Sequence, residues 1–183
     1  MNSLTISDGV LLLVTLAIVR SLNLTKSFRL AAAVFASAAL LGVLRFSGLL
    51  PLNGLHGFFS GLGASAAYPL LAIGIIFPAR GIATSWRFAS IFLIIAGALG
   101  LVAAATNLTL WGNIFALGSV VTLLMFTALK REWLALSGSI ALLIALSLFA
   151  IQISVPPILK PGDFLHIFMA IGLSLLAIHY RRS

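Results

Sequence analysis

Asp163 and His166 are three residues apart at the start of the last apolar stretch, so on a helix they share one face. The chain holds only three acids and three histidines, and this pairing of two scarce types is where chemistry is most concentrated. Asn53, His56 and Ser60 follow the same logic, with spacings of three and four placing them on one helical face. Asp8 precedes the first apolar stretch and Arg45 closes the second. If the beginnings of the first, third and last stretches meet, Asp8, Arg45, Asn53, His56, Ser60, Asp163 and His166 form one polar pocket. Two imidazoles and a carboxylate suit zinc, with His56, Asp163 and His166 as ligands and an open position for water. The same group also suits a proton or solute relay, or a polar site for a lipid or small hydrophobic ligand. Polar residues that merely snorkel to the membrane interface are the bland alternative. Haem between His56 and His166 fits poorly, because the third stretch has no second histidine.

Everything around these residues reads as membrane. Of 183 residues, 62% are hydrophobic and only 8% charged, where a soluble domain carries about 25% charged residues. Mean hydropathy is +1.23. That leaves too little polar surface to cover a water-soluble core, so one polytopic bundle over 1–183 is expected. Seven apolar segments stand out, at about 7–22, 28–46, 54–78, 86–105, 110–129, 133–153 and 163–180. Each is near the length that crosses roughly 30 Å of hydrocarbon as a helix. The runs are continuous rather than alternating, so helices are expected, not a barrel. Pro51, Asn53 and Gly54, then Pro78 and Gly81, then Asn107, then Lys130 to Glu132, and last Pro156, Pro157 and Pro161 punctuate them. Pro69 should kink the third. The first segment lacks a basic leader and a small-residue cleavage site, so it is expected to remain as a helix.

The cations set the expected orientation. Arg20, Lys26, Arg29, Arg80, Arg87, Lys130, Arg131, Arg181 and Arg182 fall at one set of ends, and only Arg45 and Lys160 at the other. Cytoplasmic loops carry the excess, which puts the N-terminus outside, the C-terminus inside and the protein in the cell inner (plasma) membrane. The net charge of +8 is therefore a topology signal. No basic stripe with interleaved aromatics runs along it, so nucleic acid is not an expected partner; the lipid bilayer is. Glu132 reads as charge balance within a basic loop. Trp86, Trp111 and Trp133 fall where an aromatic belt would place them. The absence of cysteine excludes disulfides, thiolate nucleophiles and thiolate zinc sites together.

The run His166-Ile-Phe-Met-Ala-Ile-Gly172-Leu-Ser resembles the last helix of the CREST superfamily. These are seven-helix membrane proteins that include alkaline ceramidases and progestin/adipoQ receptors. The resemblance implies a seven-helix bundle with an outward N-terminus and, in the ceramidase-like branch, zinc-dependent hydrolysis of a lipid amide or ester. The family's last helix carries a His-x-x-x-His pair, of which His166 matches and Gly162 stands at the other place. Gly42 and Arg45 stand where the second helix would bring a serine and a histidine. His56 lies near the place of an acid early in the third. Three uses of the pocket are therefore open: non-enzymatic binding of a ligand, proton or partner; a zinc hydrolase; and a small transporter or proton relay.

Overall fold

The computed structural model describes residues 2–108, 110–156 and 158–182. Seven helices in it are long and apolar enough to cross a membrane. They are α1 (Ser3–Arg20), α2 (Lys26–Phe46), α3 (Asn53–Ile76), α4 (Trp86–Ala105), α5 (Trp111–Leu129), α6 (Trp133–Ala150) and α7 (Pro161–Arg182). A single helical turn, Gly81–Thr84, lies between α3 and α4. The class this defines is a multi-pass α-helical membrane protein. Pro157, one of the prolines expected to break the last connection, lies outside the described residues.

Helix ends differ from the sequence expectation in a way that moves chemistry. α1 starts at Ser3 because the Asn2 side chain caps it, accepting from the Leu4 backbone N–H at 3.4 Å. Asp8 is then inside the helix and 1% exposed, not on a lip in front of it. α7 starts at Pro161, whose missing N–H costs nothing in a first turn. Asp163 in that turn reaches back to accept from the Lys160 backbone N–H at 2.8 Å, half of a capping box.

Pro69 cannot donate to the carbonyl four residues back. The helix answers by widening to a π-helical turn over Gly63–Ala67 before resuming at Tyr68. Four of the five residues in that turn are glycine or alanine, so other helices approach closely. A Cβ on Gly100 of α4 would lie 2.6 Å from Ser65 Oγ, and one on Gly97 would lie 2.6 Å from a Leu62 methyl. Gly112 of α5 makes a similar approach to Ala64. Packing without a hydrophobic force between helices depends on such small residues.

α6 and α7 approach each other backbone to backbone. A Cβ on Gly138 would sit 2.9 Å from the Gly172 carbonyl oxygen, and one on Gly172 would sit 2.8 Å from that of Gly138. α1 packs between α2 and α7. At the other end of the bundle, Arg29 donates through Nε to the Val19 carbonyl at 2.8 Å and lies over the Trp86 ring at 5.2 Å. Glu132 does more than balance charge: it accepts from the Tyr180 hydroxyl at 2.6 Å and pairs with His179 Nε2 at 3.4 Å. This ties the start of α6 to the end of α7.

Candidate functional site

Ser3 and Ser7 lie one helical turn apart on α1 and both face α7. Ser3 Oγ donates to Asp163 Oδ2 and Ser7 Oγ to Asp163 Oδ1, each at 2.7 Å. With the Lys160 N–H, three donors converge on one carboxylate that is 0% exposed. Asp163 is thus a clamp between α1 and α7 as well as a cap.

The next turn of α7 brings His166 between two acceptors. Its Nδ1 lies 3.2 Å from Asp8 Oδ1 and 3.5 Å from Ser7 Oγ. The Ser7 proton is engaged by Asp163, so its oxygen can only accept from the ring. Nδ1 therefore carries the proton and Nε2 presents a lone pair. The Asp8 contact is within ion-pair range but is not aligned as a hydrogen bond, and both Asp8 oxygens otherwise lack a partner among the described residues. The carboxyl fits there because α2 has Gly42 opposite. A Cβ at Gly42 would come within 2.6 Å of Asp8 Cγ and 2.8 Å of Oδ1.

His56 is held by the same principle from another helix. Its Nδ1 lies 3.2 Å from the Ala38 carbonyl oxygen of α2, which can only accept, so Nδ1–H donates and Nε2 is again left free. The Phe46 ring packs edge-on against it at 5.6 Å, with the Arg45 guanidinium 4.9 Å from the centre of Phe46.

Both imidazoles line one cavity of about 1020 Å³, at the upper end of the roughly 300–1,000 Å³ range of small-molecule sites. Asp8 and Ser60 also line it, with Lys160 and Gln152. Most of the remaining wall is leucine, phenylalanine, alanine and glycine. Of the residues expected to converge, Asp8, His56, Ser60 and His166 do so here. Arg45, Asn53 and Asp163 are not in the wall: Arg45 stacks on Phe46, Asn53 is exposed, and Asp163 is turned into the α1–α7 seam.

The expected zinc ligands are not assembled as a set. Among the described residues no three His, Asp or Glu side chains are grouped to hold a metal. Asp163 is saturated by Ser3, Ser7 and Lys160, and Asp8 lies on the protonated side of His166. That leaves two imidazole nitrogens, one fewer than the three protein ligands of a catalytic zinc site.

Sequence reading missed two parts of the wall, Trp111 and Tyr68, and one residue behind it, Gly42. Trp111 belongs to the cavity as well as to the interface, half-buried with its ring centre 4.5 Å from that of Phe115. Tyr68 is 4% exposed, with its hydroxyl lacking a partner among the described residues. Gly42 is the space that admits Asp8. The Ser3–Ser7 spacing, a single turn ending next to Asp8, is the available signal for the seam.

The chain matches no protein-family model, no curated protein and no solved structure.

Proposed function

We propose that the cavity binds an amphipathic ligand from the membrane without transforming it. Its apolar part lies along the leucine and phenylalanine walls, and its head group donates hydrogen bonds to His56 and His166. The observation that carries this reading is the fixing of both imidazoles through Nδ1, by Asp8 and Ser7 in one case and by Ala38 in the other. Two rigid acceptors in a mostly apolar cavity select a hydroxyl or amide donor, because an unpaired polar group there is costly. Lys160 adds a cation among the lining residues.

The test is extraction of small molecules from protein purified in mild detergent, followed by mass spectrometry. Wild type is expected to carry an amphiphile that the His56→Ala/His166→Ala protein loses. Two net hydrogen bonds of about 0.5–1.5 kcal/mol each correspond to roughly 5- to 150-fold weaker binding. Identical extracts from equally folded proteins would refute the reading. Zinc analysis separates the hydrolase implied by the CREST resemblance: stoichiometric metal in wild type, lost in either histidine variant, would favour it over simple binding.

For the orientation, the cation asymmetry supports an outward N-terminus in an inner (plasma) membrane. The chain has no cysteine, so single cysteines report cleanly. Leu22 and Leu49 flank α2 at opposite ends and are 78% and 69% exposed. In intact cells an impermeant maleimide is expected to label Leu49→Cys, and to reach Leu22→Cys only after permeabilisation. The reverse pattern would invert the topology.

A further inference from the structure

We propose that the ligand is a bilayer lipid whose acyl chain enters the cavity sideways, between α4 and α5. The proposal rests on the cavity being a ligand site, as argued above. α4 and α5 lean on the widened turn of α3 more than on one another. Gly100 of α4 and Gly112 of α5 make these approaches, to Ser65 and Ala64. A cleft is left between the two helices.

The cleft holds a second, smaller cavity of about 170 Å³, walled by Phe92, Ile95, Leu99 and Phe115. Ser65 and Trp111 line both this groove and the main cavity. They are the partition between the two spaces. On the outer face of the groove, Ile95 and Leu99 are 57% and 51% exposed on a helix that crosses the membrane, so lipid tails already cover them. An acyl chain lying there has only the Trp111–Phe115 ring pair and a serine between it and the main cavity. The groove is apolar throughout apart from Ser65, whose hydroxyl is turned back onto the Gly61 carbonyl at 2.9 Å. A water-soluble solute would gain nothing along this path; a hydrocarbon chain exchanges one apolar surrounding for another.

The route is tested by locking it. Leu99→Cys and Phe115→Cys, on opposite walls of the groove, are joined with a short bis-maleimide. The protein is reconstituted in phosphatidylcholine vesicles doped with a phosphatidylglycerol, whose head-group hydroxyls can donate to the two imidazoles, carrying a diazirine in its acyl chain. After irradiation, labelled peptides are mapped. Phe35 and Ala39 line the main cavity and are 3% and 1% exposed, so a tail reaches them only from inside. Labelling of these two residues is expected in the unlinked protein and expected to be lost in the linked one. Undiminished labelling after complete linkage would overturn lateral entry while leaving the cavity as a lipid site. No labelling in the unlinked protein would overturn the cavity reading itself, and the route with it. Trp111→Ala is expected to raise the labelling rate severalfold and Trp111→Phe to leave it near wild type. Equal rates in all three proteins would remove Trp111 as the partition.

Discussion

Replacing Asp163 with alanine is expected to lower stability by about 2–5 kcal/mol. Two interhelical hydrogen bonds in a membrane bundle are worth roughly 0.6–2 kcal/mol each, and a helix cap about 1 kcal/mol. Ser3, Ser7 and the Lys160 N–H all lose their acceptor at once. The asparagine variant is more informative. At a plain cap, asparagine serves about as well as aspartate. Here both carboxylate oxygens face donors, so the amide NH₂ must point at Ser7 or at the Ser3–Lys160 pair. At Ser7 the hydroxyl must then turn its proton to the Leu4 carbonyl, 3.2 Å away, and accept from the amide. At the other oxygen the Lys160 N–H would face a donor. Either way a hydrogen bond to a charged acceptor is lost, roughly 1–3 kcal/mol. Unfolding in detergent, followed by fluorescence of the three tryptophans, measures both variants. A wild-type midpoint for Asp163→Asn would reduce Asp163 to a cap and remove the clamp.

The second large effect is at Gly42. Adding one methyl group drives it into the Asp8 carboxyl, with 2.6 Å left to Cγ. Overpacking of this kind costs about 1–3 kcal/mol. Asp8 cannot retreat easily, since its other side meets His166 at 3.2 Å. Gly42→Ala is therefore expected to displace Asp8, free the His166 ring and abolish ligand recovery along with the loss of stability. In an Asp8→Ala background the obstacle is gone and the same substitution is expected to be nearly neutral. The double-mutant cycle then shows a coupling of about 1–3 kcal/mol. Additive effects would mean that α1 and α2 shift as rigid bodies and that Gly42 is not the space that admits Asp8.

Both predictions turn on contacts between segments far apart in the chain, and that is where sequence reading ran out. Seven helices, their polar punctuation and the scarcity of chemistry were legible, because hydrocarbon requires every backbone group to be satisfied within its own segment. Asp8, His56, Ser60 and His166 were legible as candidates for the same reason: a polar group in an apolar helix stands out. Their roles were not. Asp163 reads identically as ligand, cap or clamp until Ser3 and Ser7 are seen across the α1–α7 seam. Asp8 reads as a residue at the mouth of a pocket, in front of its helix, until the Asn2 cap extends α1 and Gly42 opens a buried space for it. Trp111 reads as an interfacial anchor until α5 packs beside the widened turn of α3 and its ring becomes a wall. Periodicity and hydropathy are properties of one segment and determined the helices. Which faces meet is fixed by close approaches at Gly42, Gly100, Gly112, Gly138 and Gly172. A glycine's sequence context does not say which helix will fill its space, so the tertiary structure alone decided which polar residues became a site.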